Sequence, residues 1–135
     1  MAAVSPSSCS VFIQAWVDVN PIMQGGGTNG VYLVDNRIND GSGNEGTAGL
    51  ITACTNNANI CWEIVAVDPN AQLDQFQIQQ IGNSNAWGNT GQPEATDPSS
   101  TVFTGQVQNT GTAKYDLVLN INDTNVTVTP QVTVT

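Results

Sequence analysis

The 135 residues include no histidine, so any chemistry in this chain must come from its carboxylates, thiols, hydroxyls, indoles and two cations. Triads and proton shuttles that need imidazole are thereby excluded, as are histidine-ligated zinc, copper and haem. Arg37 and Lys114 are the only cations, and Lys114 does not follow a glycine run as a Walker-type phosphate loop requires. A net charge of −9 lacks the cations that would neutralise nucleic-acid phosphates or hold an anionic membrane surface. The densest set of oxygen donors is Asp35, Asn39, Asp40, Ser42, Asn44 and Glu45 on a glycine-rich path, which a hard cation such as calcium would accept. The spacing departs from the EF-hand pattern, with Arg37 third from Asp35 and Asp40 sixth, where glycine belongs. We read this stretch as a solvated turn and assign no metal and no cofactor. Glycoside hydrolysis needs two carboxylates facing one sugar ring, whereas most acids here adjoin Gly, Asn or Pro in predicted turns. A cysteine nucleophile without histidine needs another base. No catalytic residue is assigned, and the chain is read as a non-enzyme.

Three tryptophans could instead form a binding platform, since indole presents an apolar face and one donor. Trp62 lies in a strongly apolar run and belongs to the core. Trp16 alternates away from the Val11, Ile13 and Val17 face, beside Phe12. Trp87 sits among Asn83, Ser84, Asn85, Asn89 and Gln92, where it would either contact a neutral ligand or pin its loop to the domain. The residues expected to hold a small ligand or sugar are therefore Trp87, Asp40, Asn44 and Glu45.

The elements that must position these groups are strands. Apolar residues alternate from Val11 to Val19, and Gly30–Asp35 is almost continuously apolar, which predicts a strand buried on or near both faces. Further strands are predicted at Thr47–Thr55, Ile60–Asp68, Leu73–Ile81, Val102–Gln108, Ala113–Ile121 and Val126–Thr135. Asn109–Gly111 and Asn122–Thr124 are predicted hairpin turns, and Gly82–Ser100 a long polar loop. In the last strand Val126, Val128, Val132 and Val134 share a face with Pro130, which cannot donate to a ladder and so predicts an edge strand or a bulge. Eight strands without a persuasive helix predict an all-β fold: one antiparallel β-sandwich over residues 11–135, Greek-key or jelly-roll-like, with residues 1–10 a flexible segment. Read as a hairpin about Asn56–Asn59, the chain sets Ala53 opposite Trp62, Ile51 opposite Ile64 and Cys54 opposite Cys61. Opposed residues lie about 4.5–5.5 Å apart at Cα, within disulfide reach. Cys9 is left over on a polar segment, expected exposed and unpaired.

The order of these motifs resembles the bacterial AidA/PixA inclusion body family. The matching features are Tyr32-Leu33-Val34-Asp35, a glycine-rich loop, Leu50 to Cys54, Trp62 and a strand ending Val67-Asp68-Pro69, then Phe103 to Val107, Tyr115, Leu119, Ile121 and Pro130. The opening strand, from Phe12 to Asp18, fits as well, so the resemblance covers residues 11–135. It implies a small cytoplasmic β-sandwich without catalytic residues, self-associating, in some members abundant enough to form inclusions and linked to quorum-sensing-controlled expression. The chain departs from it in a longer Gly82–Ser100 stretch and in having only two methionines. A cytoplasmic setting implies that Cys54 and Cys61 stay reduced, bridging only on oxidation. The alternative is a carbohydrate- or small-ligand-binding sandwich, calcium-assisted or not. The expected partner is a second copy of the chain, with no nucleic acid and no membrane.

Overall fold

Period-two apolar patterning builds the sheets of the protein, seen in a computed structural model that describes residues 4–25, 27–70 and 76–135. The strands are β1 (Val11–Val17), β2 (Val31–Asp35), β3 (Ile51–Cys54), β4 (Asn59–Ala66), β5 (Phe76–Ile81), β6 (Glu94–Ala95), β7 (Val102–Gln106), β8 (Gly111–Lys114), β9 (Leu117–Ile121), β10 (Thr124–Val128) and β11 (Gln131–Val134). They form a five-stranded sheet, β2-β1-β4-β7-β6, and two three-stranded sheets, β10-β9-β5 and β3-β11-β8. Buried residues of all three sheets meet in one hydrophobic cluster, so the fold is the expected all-β, sandwich-like one. Leu73–Gln75 of the expected fifth strand and Met1–Ala3 lie outside the described residues.

The described strands are shorter and more numerous than the eight expected because two of those change sheet midway and because β6 lies within Gly82–Ser100, expected to be a loop. Ala113–Ile121 divides at Tyr115–Asp116 into β8 and β9, and Val126–Thr135 divides at Thr129–Pro130 into β10 and β11. The crossings lie side by side: Tyr115 N–H donates to Pro130 O at 3.1 Å and Thr129 Oγ1 to Asp116 Oδ1 at 3.2 Å. Pro130, having no N–H, sits where no ladder bond is required. The valine face survives the break, with Val126, Val128, Val132 and Val134 all buried. The expected edge strand is instead a centre: β11 runs parallel to β3 and antiparallel to β8.

The expected hairpin of Thr47–Thr55 with Ile60–Asp68 does not form. β4 lies between β1, parallel, and β7, antiparallel, while β3 belongs to another sheet. The turn between them is held by both sides, Asn56 N–H donating to Thr135 O at 3.0 Å and Asn57 N–H to Val107 O at 2.8 Å. It therefore carries the chain across the core instead of folding it back. Asn109–Gly111 likewise passes from β7 to β8 in a different sheet. The Asn122-Asp123 turn does close a hairpin, β9 with β10. Both residues have positive φ, 50° and 66°, the mirror-image geometry that matches strand twist.

β2 is a one-sided edge, not a doubly buried strand. Val31 and Leu33 are buried and Tyr32 is 40% exposed. Its outer edge is closed by the loop beyond: Gly46 N–H donates to Leu33 O at 2.7 Å and Leu33 N–H to Thr47 O at 3.1 Å. A one-turn helix α1 (Val19–Met23) follows β1 and buries Ile22. The segment Val4–Ser10, expected to be flexible, is hydrogen bonded to the five-stranded sheet, with Thr104 Oγ1 donating to Val4 O at 2.8 Å and Asn59 Nδ2 to Ser8 O at 3.2 Å.

Candidate functional site

The acidic loop does not converge on a centre. Asp40 pairs with Arg37 at 3.5 Å, and Arg37 Nε also donates to Ala53 O at 3.3 Å. These residues, with Thr133 and Thr135, border a cavity of about 340 Å³. Asn44 points elsewhere, its Nδ2 donating to Gly49 O at 3.3 Å. Glu45 Oε1 accepts the Asp35 N–H at 2.9 Å, and Asp35 Oδ1 accepts the Arg37 N–H at 2.9 Å. The remaining oxygens, Asp35 Oδ2 and Glu45 Oε2, are buried with no hydrogen-bond partner. Burial, and then the adjoining Asp35 carboxyl, push the Glu45 carboxyl above the usual range. Among the described residues, no three His, Cys, Asp or Glu side chains are grouped to hold a metal ion.

Trp87 is not an exposed platform. It is 1% exposed and packs edge-on against Trp62, ring centroids 5.6 Å apart, and tilted against Tyr115 at 5.3 Å. Its Nε1–H donates to Gly82 O at 2.9 Å. The amide-rich surroundings misled the reading: a backbone carbonyl satisfies the indole donor, leaving the ring free to be buried. Trp87 pins its loop. The amides lie outside it, and Asn83, Ser84, Asn85 and Gln92 border an open depression that does not include Asp40. Trp62 is core as expected, its Nε1–H donating to Tyr115 Oη at 3.1 Å. Its strand neighbours, however, are Ile13 and Phe103, not Ala53.

The Cys54–Cys61 pairing is also corrected. Cys54 lies opposite Val134 and belongs to the core cluster, whereas Cys61 lies opposite Phe12 and Thr104 on the outer face of the five-stranded sheet. All three cysteines are free. Burial pushes the Cys54 thiol up to about 11 and the Cys61 thiol up to about 12, so neither is a ready nucleophile at neutral pH.

The feature not picked out from the sequence is the outer face of the five-stranded sheet. Trp16 lies directly opposite Tyr32 on β2 and Val65 on β4, and Val34 opposite Gln14. Phe12 is 42% and Tyr32 40% exposed, and Trp16, Val34 and Val65 are half-buried. Glu63 accepts from Gln14 Nε2 at 3.3 Å, and Gln14 Oε1 in turn accepts the Trp16 Nε1–H at 3.2 Å. The signal for this patch is the parity of β1: Phe12 and Trp16 are large aromatics on the side opposite the buried aliphatics.

Comparison with known proteins places the chain further. A family model described as a domain of unknown function (DUF8788) matches residues 9–127. No curated protein matches by sequence. Among solved structures, the crystal structure of an inclusion body protein (PixA) from Burkholderia cenocepacia J2315 aligns with a TM-score of 0.66 at 10% sequence identity, covering 98% of this chain and 100% of that one. The two share a fold, which is the fold the resemblance implied.

Proposed function

The chain belongs to the family of domains of unknown function DUF8788, and from that premise we propose that it is a non-enzymatic protein of the inclusion-body type that packs against copies of itself. The observation that carries this is the aromatic patch Phe12, Trp16 and Tyr32 with Val34 and Val65 on an open sheet face, with the carboxylates Glu63 and Asp35 at its border. Apolar area of this kind, left in water, marks a contact surface. A net charge of −9 opposes approach of a second copy, but that repulsion is screened beyond about 8–10 Å in ordinary salt. The fold shared with an inclusion body protein points in the same direction. The non-enzymatic reading is supported by the absence of histidine and by the buried, high-pKa thiols Cys54 and Cys61. A cytoplasmic setting and quorum-sensing-linked expression belong to this reading and rest on the resemblance alone. Sedimentation over a concentration series tests it. The wild type should associate with increasing concentration, and Trp16→Lys with Tyr32→Lys should remain monomeric. A wild-type monomer at high concentration in both low and moderate salt refutes it.

The same face favours a second reading, a sugar platform, because the Trp16 and Tyr32 rings adjoin the hydrogen-bonding groups of Gln14 and Glu63. A glycan-array signal lost in Trp16→Ala, from a wild type that stays monomeric, selects it.

A further inference from the structure

Two of the three cysteines meet where a folded-back segment crosses the outside of the five-stranded sheet. Elsewhere that face is open, with Phe12 42% exposed and Glu63 exposed. Cys61 and Thr104, opposite one another on β4 and β7, are only 7% and 1% exposed. The segment Val4–Cys9 covers them. It is fastened at Val4 by Thr104 Oγ1, at 2.8 Å, and at Ser8 by Asn59 Nδ2, at 3.2 Å. A 3₁₀ turn, Pro6–Ser8, bends it so that the Cys9 N–H bonds to Pro6 O at 3.1 Å. This sets the half-buried Cys9 beside Cys61, near enough for each thiol to act on the other. A cavity of about 240 Å³, bordered by Pro6, Phe12, Gln14, Cys61 and Glu63, opens beside the pair. Cys54 is in the core, on another sheet.

We infer that Cys9 and Cys61 are the oxidisable pair of this chain, forming a disulfide that locks the Val4–Cys9 strap onto the sheet. The oxidant class is a small disulfide, RSSR. Cys9, the more accessible thiol, loses its proton and attacks one sulfur of RSSR, forming the mixed disulfide Cys9–S–S–R and expelling RS⁻. Cys61, deprotonated in turn, attacks the Cys9 sulfur, forming Cys9–S–S–Cys61 and expelling the second RS⁻. The two cysteine protons end on two RSH, and the two electrons lost by the protein reduce RSSR. Both thiols are raised by burial, so the exchange is slow at neutral pH and quickens as pH rises.

The two cations make the test direct. Trypsin cuts after Arg37 and Lys114, so a Cys9–Cys61 bridge joins peptide 1–37 to peptide 38–114, while a Cys54–Cys61 bridge lies within 38–114. The full chain is incubated with oxidised glutathione, alkylated in denaturant, sized without reductant and digested. The expected result is a monomer that has lost two of its three thiols and whose peptides 1–37 and 38–114 stay joined until reduced. Cys54→Ser should behave the same way, and Cys9→Ser should form no internal bridge. Closing a loop of roughly 50 residues should raise the melting temperature on the order of 10 °C. Three surviving thiols, a bridge confined to 38–114, a joined pair that disappears in Cys54→Ser, or linkage found only in disulfide dimers would each overturn the inference.

Discussion

At the scale of single residues, the Asp35–Glu45 pair sets a pH dependence. The Glu45 carboxyl is held above its ordinary value, about 4.3 for a free glutamate, by burial and by Asp35. The folded state therefore keeps a proton that the unfolded chain releases. The stability associated with this proton is complete below the unfolded value and is lost as pH rises through the folded one. Glu45→Gln should relieve this at neutral pH: Oε1 still accepts the Asp35 N–H, and the new amide can donate to the unpartnered Asp35 Oδ2. We expect a gain of about 1 kcal/mol at pH 7 that shrinks toward pH 4, measured as denaturant midpoints across that range. Trp62→Ala should cost about 3–5 kcal/mol, since it empties the aromatic cluster and strips Tyr115 Oη of its donor. A loss under 1 kcal/mol in chemical denaturation would contradict that packing. Trp62 was legible because its whole run is apolar. Trp87 was not, because its donor is satisfied by the Gly82 carbonyl, which no local pattern announces.

At the scale of elements, the Gly82–Ser100 loop is tied down by close main-chain contacts. Gly91 N–H donates to Trp87 O at 2.9 Å, and Gly91 O accepts from Gln106 N–H at 3.0 Å. A Cβ at Gly91 would collide with the Trp87 and Gln106 carbonyls, both backbone atoms that cannot swing aside. Gly91→Ala should destabilise the protein by about 1–3 kcal/mol and expose Trp87, read as a red shift and increased quenching of its fluorescence. An unshifted spectrum at unchanged stability would mean that the loop is not held there. In β1 the faces were legible from parity, the buried set Val11, Ile13, Ala15 and Val17 being the alternating one; in β3 parity pointed Ile51 and Ala53 inward, whereas Thr52 and Cys54 are the buried residues. Partners were not legible, because Cys54 and Trp62 both face the core from different sheets, and alternation reports burial without saying what lies across the ladder. The breaks at Tyr115–Asp116 and Thr129–Pro130 were hidden because apolar parity runs through both of them; only Pro130 gave a signal.

For the whole molecule, charge and the aromatic face act against each other. The net charge of −9, with a sequence pI near 4.1, opposes the approach of a second copy most strongly when salt is low. Association through the Trp16–Tyr32 face should therefore strengthen as sodium chloride rises from about 20 to 200 mM, over which the screening length falls from roughly 20 Å to under 10 Å. Light scattering at fixed protein concentration reads this, and weakening with salt would mean that ion pairs, not apolar area, make the contact. The composition made the charge legible, whereas the patch needed the register of β1 against β2 to bring Trp16 beside Tyr32. The central place of β11 also bears on synthesis. Among the described residues, β3 and β8 have β11 as their only partner strand, so beyond the local bridge of Ile51 to Gly43 the ladder of Ile51–Cys54 must wait until Gln131–Val134 has left the ribosome. At about 5–20 residues per second, the intervening stretch keeps β3 without its ladder for roughly 4–16 s. During translation the nascent chain carries an unfinished sheet, and neighbouring chains on one message are the nearest strands able to complete it.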